Sequence, residues 1–398
     1  MNLLFLTLAE ISSVEERGIY QDLLRKFRNE GHDVTIVSPV ERRKGIATNF
    51  NTKKGVSILQ VKTLNIQKTN IIEKGIGTIA IEYQYLAAIK KHLTGKKFDL
   101  VLYSTPPITF AKVIEYIKKR DHAKSYLLLK DIFPQNAVDM KMLKEGGFLH
   151  KQFLKKEKKL YHISDTVGCM SQANVDFVLQ NNPEISKNKV EVNPNTIEPV
   201  VFNYSDLQKK AIRKKYQVPT DKKVFVYGGN LGKPQGLDFL LETILATETQ
   251  DVFFLIIGDG TEFQKIQEWF NNKKPANAKL LQRLPKEDYD QLLASCDVGL
   301  IFLDKNFLIP NFPSRLLSYL EMKMPVIAAT DPNTDIGDVI EEAHCGYKVM
   351  AGNQDEMQLK IKLILNSNIK EIGERAEKLL LSKYTVDQSY HLIMEKIE

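Results

Sequence analysis

Cysteine is scarce in this chain of 398 residues: Cys169, Cys296 and Cys345 stand far apart and are odd in number. That spacing argues against a disulfide framework and against a cysteine-rich zinc site, and it leaves three small buried hydrophobes. Long apolar runs are missing as well. The first run, Leu3–Leu8, has no basic region before it and stops at Glu10, so it reads as a buried strand and not as a secretory signal. No stretch approaches the ~20 apolar residues of a membrane-spanning helix. A cytoplasmic location is expected, with any membrane contact peripheral. Neither a Gly-Lys-Ser/Thr phosphate loop nor a G-x-G-x-x-G dinucleotide pattern occurs, so ATP chemistry of the first kind loses ground. No His, Asp and Glu cluster has metal-ligand spacing, and no recognised nucleic-acid module is visible.

What is present is ordinary for a globular protein: 43% apolar and 26% charged residues. The length exceeds what one core usually supports, so two domains are expected. Charge is uneven, with a net of +10 over residues 1–200 and −3 over residues 201–398. Such asymmetry suits a polyanionic partner of the first half, although lysine is plentiful throughout.

Along the first half, continuous apolar runs alternate with amphipathic ones. Strands are expected at Leu3–Leu8, Asp33–Ser38, Val56–Val61, Leu100–Tyr103, Ser125–Leu129, Thr166–Met170 and Val190–Val192, with helices between several of them. Buried strands separated by helices mean a parallel sheet covered on both faces. Residues 193–199, rich in turn formers, read as a linker. A second alternation follows, with strands expected at Val224–Tyr227, Val252–Ile257, Lys279–Leu281, Val298–Leu303, Val326–Ala329 and Tyr347–Val349. The fold class is therefore α/β with two Rossmann-like, doubly wound domains. Their expected extents are 1–195 and 201–384.

Four segments of the second half carry chemistry. The run Gly228-Gly229-Asn230-Leu231-Gly232-Lys233 follows a strand and precedes a helix, where glycines allow close backbone approach and helix N–H groups attract phosphate. Gly258-Asp259-Gly260 repeats that pattern at the next strand. Arg283 and Leu284 follow a third strand. Pro313-Ser314-Arg315-Leu316 opens a helix, with Ser314 at a capping position and Arg315 able to fork onto phosphate. Each alone is equally a tight turn or a helix cap; four at strand C-termini in one half form a candidate ligand site.

Taken in order, these segments resemble family-4 glycosyltransferases of the GT-B type. Further similarity runs through Met324-Pro325-Val326-Ile327-Ala328 and Cys345-Gly346-Tyr347. In the first half, Gly31-His32-Asp33-Val34 is similar to the same family, and Lys130-Asp131-Ile132-Phe133-Pro134-Gln135-Asn136 is similar to its branch containing fucosamine-type transferases of O-antigen and capsule assembly. The resemblance implies that a C-terminal helix within 385–398 crosses back to the first domain and that the second domain holds a nucleotide-sugar, with UDP as the expected carrier. Gly228, Gly229, Asn230, Leu231, Gly232, Gly258, Pro313, Ser314 and Leu316 would then surround the donor. Lys233 and Arg315 would neutralise the diphosphate, and Arg283 and Leu284 would lie near the base. The family's pair of glutamates is replaced by Pro310 and Ser318, which leaves Glu321 as the nearest substitute for the ribose contact. Its usual Lys-Gly is Gln235-Gly236. In the first domain Arg17 or Gly18 would face the diphosphate, and Asp131 stands nearest the position of the family's catalytic histidine. As a residue pattern, Asp131 reads equally as a proton acceptor or as a cap before Pro134.

The implied reaction is retaining hexosyl or N-acetylhexosaminyl transfer to a lipid-linked glycan, with no metal or other cofactor required. A basic amphipathic stretch containing Lys151, Lys155, Lys156, Lys158 and Lys159 suits contact with the inner membrane surface. Two other readings remain on the same fold: a nucleotide-sugar 2-epimerase and a non-catalytic donor-binding subunit.

Overall fold

The computed structural model describes residues 1–66 and 71–397, without the side chains of 71–76. The chain forms two compact units, residues 1–198 with 385–398, and residues 199–384.

The first unit runs β1 (Asn2–Leu6), α1 (Ile19–Asn29), β2 (Asp33–Glu41), β3 (Asn49–Lys53), β4 (Val56–Thr63), α2 (Ile71–His92), β5 (Leu100–Ser104), α3 (Ala111–Asp121) and β6 (Lys124–Leu129). It continues with α4 (Gln135–Asp139), α5 (Phe148–Ile163), β7 (Thr166–Cys169), α6 (Gln172–Asn181) and β8 (Val190–Val192). The sheet order is β3-β4-β2-β1-β5-β6-β7-β8. All neighbours are parallel except β3 and β4. The order reverses between β1 and β5, and open α/β sheets bind ligands at such a switch point, outside the strand carboxyl ends.

Local chemistry explains the elements. Helix α1 stops where Gly31 takes a φ of +82°. Its N–H bonds Arg28 O at 3.0 Å and the N–H of His32 bonds Phe27 O at 3.1 Å, which completes a Schellman ending. Strand β3 carries no apolar run and was not expected from the sequence. It exists because Lys54 and Gly55 both have positive φ, the turn that suits a tight hairpin.

The second unit contains α7 (Asp206–Lys215), β9 (Lys223–Asn230), α8 (Leu237–Ala246), β10 (Val252–Asp259), α9 (Phe263–Lys273), β11 (Ala278–Gln282) and α10 (Lys286–Ala294). Then come β12 (Val298–Phe302), α11 (Arg315–Glu321), β13 (Val326–Thr330), α12 (Ile336–Glu342), β14 (Gly346–Met350), α13 (Gln354–Leu365) and α14 (Ile369–Lys383). Its all-parallel sheet has the order β11-β10-β9-β12-β13-β14. Numbered within the unit this is 3-2-1-4-5-6, the dinucleotide-fold order, with the switch point between β9 and β12. The core is aliphatic and aromatic, with Phe225, Phe254, Leu300 and Ile327 all at 1% exposure or less.

The last helix, α15 (Val386–Met394), belongs to the first unit and packs on α1. Tyr390 meets Phe27 edge-on at 4.9 Å and its hydroxyl lies 2.9 Å from His32 Nε2. Asp387 pairs with Lys26 at 2.6 Å, and Ser389 donates to Asn193 at 2.7 Å.

Candidate functional site

In the second unit the glycine run lies at the switch point. Strand β9 continues through Gly228, Gly229 and Asn230, which pair with Ile257, Gly258 and Asp259 of β10. The glycines are thus the end of a strand and not the loop expected from sequence. Helix α8 starts only at Leu237, after a 3-10 turn over Lys233–Gln235.

Close approach explains most of the glycines. A Cβ on Gly258 would stand 2.0 Å from the Gly229 carbonyl oxygen, and one on Gly260 would stand 2.4 Å from that of Leu231. A Cβ on Gly228 would strike the Tyr289 hydroxyl at 2.0 Å. Gly229 differs, because its φ of +121° excludes side chains and its open face looks toward the Arg315 guanidinium, 3.9 Å from a built Cβ.

Arg315 is the centre of this cluster. Its guanidinium lies 4.2 Å from the Tyr227 ring centroid, and its Nη2 donates to Gln235 Oε1. Gln235 Oε1 also accepts from the Tyr227 hydroxyl at 3.2 Å. The Arg315 Nη1 is buried and has no hydrogen-bond partner among the described residues. Below it, the Tyr319 hydroxyl bridges the Gly228 N–H and the Val226 and Leu300 carbonyls at 3.0–3.2 Å. The result is a fixed cation beside an exposed glycine backbone, with one buried donor unspent. An anion suits that arrangement.

Other expected donor residues divide. Lys233 and Asn230 are exposed beside the cluster, and Gly232 accepts the Gln235 N–H at 3.0 Å. Arg283 is exposed and Leu284 half-buried after β11, and Pro313 is half-buried. Several expectations need correction. Leu231 is fully buried, its N–H bonded to Asp259 O at 3.0 Å and its carbonyl to the Glu262 N–H at 2.8 Å, so it anchors the turn and has no backbone donor to spare. Leu316 is a core residue whose N–H returns to Pro313 O at 3.2 Å. Ser314 occupies the capping position of α11, but its side chain makes no capping bond, because its own backbone is already helical. Glu321 is 8% exposed and accepts the Val200 N–H at 2.8 Å, which gives it a structural task at the start of the unit.

The first unit has its own polar cluster at the β1/β5 switch point. Thr7 follows β1, Ser104 ends β5, and Ser104 Oγ lies 3.3 Å from Thr7 Oγ1. Thr105 Oγ1 accepts the N–H groups of Lys130 and Asp131 at 3.1 and 3.3 Å. Asp131, just past β6, receives Asn136 Nδ2 on both carboxylate oxygens at 2.7 Å. Burial raises the Asp131 pKa to about 6 against the pull of the Asn136 bond. Burial likewise lowers that of Lys130 to about 7, with the ammonium 3.1 Å from Asn193 O. Gly18 is committed: its N–H goes to Asp22 Oδ1 at 3.2 Å and its carbonyl takes the Asp22 N–H at 2.8 Å, so it starts α1 and leaves no group for a diphosphate. Arg17 is half-buried just ahead of it.

Sequence reasoning missed Tyr227, Tyr289 and Tyr319 around the glycines, and Thr7, Ser104, Thr105 and Asn136 around Asp131. The tyrosines sit at positions that read as strand or helix core. The hydroxyl residues ending β1 and β5 had one available signal, their place at successive strand ends. Among the described residues no group of three His, Cys, Asp or Glu side chains is placed to hold a metal.

Two doubly wound units, one with a buried cation and an exposed glycine backbone at its switch point, define an α/β protein of the GT-B fold. Comparison with known proteins gives the class. Residues 208–379, all within the second unit, match the family described as Glycosyl transferases group 1. The chain is 21% identical over 320 residues to the probable glycosyltransferase WbjE of Pseudomonas aeruginosa, covering 80% of this chain and 78% of that one. It is 22% identical over 251 residues to WcaI of Escherichia coli K12, a putative colanic acid biosynthesis glycosyl transferase, covering 62% and 60%. The crystal structure of Anabaena HepE in complex with UDP and glucose superposes with a TM-score of 0.71 at 15% identity, covering 100% of this chain and 99% of that one. The chain is a glycosyltransferase.

Proposed function

We propose that this chain is a retaining glycosyltransferase that moves a hexosyl or N-acetylhexosaminyl group from a UDP-sugar to a lipid-linked glycan in bacterial surface polysaccharide assembly. The observation that carries the donor reading is the buried, unpartnered Arg315 Nη1 beside Gly229, inside the segment that matches the family. The UDP-bound HepE structure and the biosynthetic role in the name of WcaI support the donor and the pathway class.

In this reading Arg315 and Lys233 neutralise the diphosphate, while Gln235 and Tyr227 hold the guanidinium in place. Arg283 and Leu284 flank the base. The acceptor oxygen bonds the anomeric carbon on the face from which the diphosphate leaves, as retention requires, while its proton passes to Asp131. The bond from that carbon to the diphosphate oxygen breaks, and its electron pair leaves with UDP. A fixed cation stabilises that departing charge without reorganisation at the moment of reaction, and no metal is called for.

The acceptor reading includes contact with the inner membrane face at the cytoplasmic side. No helix among the described residues is long and apolar enough to cross a membrane. Helix α5 turns His150, Glu157, Leu160 and Tyr161 inward and leaves its basic face outside. Phe148 and Leu149, at 75% and 58% exposure, begin that outer face. Lys151, Lys155 and Lys156 extend it, whereas Lys158 and Lys159 pair with Glu184 and Glu115.

The test is donor-dependent transfer to extracted lipid acceptor, compared in wild type and Arg315→Ala. Loss of one phosphate-binding donor of this kind costs on the order of 100-fold in rate. Arg315→Ala at wild-type rate, with the protein folded, removes the diphosphate site. Epimerised donor without transfer removes the whole reading.

A further inference from the structure

The polar cluster of the first unit contains one side chain whose arrangement is explained by another. Asn136 sits in the short helix α4, its backbone held on both sides: its N–H bonds Ile132 O at 3.2 Å and its carbonyl takes the Met140 N–H at 3.0 Å. From there Nδ2 reaches both oxygens of Asp131 at 2.7 Å, the separation of a charge-assisted bond. The opposite end of the same amide, Oδ1, is buried and has no partner among the described residues. An unpartnered buried acceptor is a standing cost. Rotating the amide by half a turn would not relieve it, because the oxygen would then face the carboxylate. In this orientation the amide serves an ionised Asp131.

We propose that Asn136 is a positioning residue that holds the Asp131 carboxylate ionised and in a single orientation for proton transfer from the acceptor hydroxyl. The inference rests on the reading of Asp131 as proton acceptor. Among the described residues, the groups that face Asp131 give it no competing cation. Tyr20 of α1, half-buried, and Tyr161 of α5, buried, are phenols whose pKa is raised chiefly by desolvation, with Glu157 the larger and Asp131 a smaller charge contribution at Tyr161. Lys130, its chain neighbour, turns its ammonium to the Asn193 carbonyl. Thr105 Oγ1 takes the backbone N–H of Asp131, alongside that of Lys130. The Asn136 amide, with a backbone contribution from Ile132, is what opposes burial at this carboxylate.

The experiment follows Asp131 directly, through the pH titration of its carboxyl carbon resonance in labelled full-length protein, alongside the pH profile of kcat/KM. Two variants are compared with wild type: Asn136→Ala, which removes the donor, and Asn136→Asp, which replaces it with a second carboxylate. The titration midpoint is expected to rise by about half a pH unit or more in Asn136→Ala and further in Asn136→Asp. The acid limb of kcat/KM moves up with it, while the KM for donor stays constant. A midpoint that stays put in a folded variant overturns the proposal. A midpoint that moves without the acid limb confirms the hold of Asn136 on the carboxylate and instead removes Asp131 from the proton transfer.

Discussion

At the scale of single residues, the two clusters use burial in opposite ways. Around Arg315, burial concentrates a charge that cannot be lost and leaves one nitrogen for a ligand. Around Asp131, burial raises the folded-state pKa to about 6, above the ordinary carboxylate value near 4. Below about pH 4 the carboxyl is protonated folded or unfolded, and it contributes no pH dependence. Between about 4 and 6 the folded state holds its proton more tightly, so stability falls as pH rises through that window. Asp131→Asn removes this loss. The variant is expected to exceed wild type by roughly 1–3 kcal/mol at pH 8, with the gap closing toward pH 4, while transfer drops sharply. Urea midpoints measured at both pH values check the sign; equal midpoints at pH 8 would mean that the carboxylate carries no burial penalty.

At the scale of elements, helix α5 shows how one periodic pattern serves two solvents. Its inward side is closed by Leu160 and Tyr161, and Glu157 there has its pKa raised by burial to about 7 beside the Tyr161 hydroxyl at 2.8 Å. Its outward side presents Phe148 and Leu149 with Lys151, Lys155 and Lys156. Each juxtamembrane lysine contributes about 1 kcal/mol of attraction to an anionic leaflet. Changing Lys151, Lys155 and Lys156 to Glu is therefore expected to weaken sedimentation with phosphatidylserine vesicles by more than 100-fold, with rates on a soluble acceptor analogue kept. Vesicle binding equal to wild type makes this face a solvated one. The sequence showed the basic run but not its division, because the pairing of Lys158 and Lys159 depends on Glu184 and Glu115, which lie on other segments.

At the scale of the whole molecule, the first unit is completed by the chain's last helix. Tyr390, Ile393 and Val386 are buried there, and α15 ties to α1, to His32 and to Asn193 through the contacts of Tyr390, Asp387 and Ser389. A chain ending at Tyr384 loses all of these together. It is expected to unfold in two steps, the first unit several degrees lower than in the full chain and the second unit unchanged, and calorimetry with and without UDP separates the two because a ligand stabilises only the unit that binds it. A single unshifted transition would show that α15 adds nothing to the first unit.

The sequence by itself determined the alternation of strands and helices and the glycine-rich run where β9 ends. Those depend on local periodicity and turn chemistry, which neighbours along the chain carry. It could not say which backbone groups of the glycine run remain free, since Leu231 and Gly258 are committed through β10. Nor could it bring together Gln235 and Arg315, 80 residues apart. That meeting follows from the strand order, which places β9 beside β12 and so the turn after one against the helix that follows the other. The tertiary structure alone decided it, because side chains meet across a sheet by topology and not by distance along the chain.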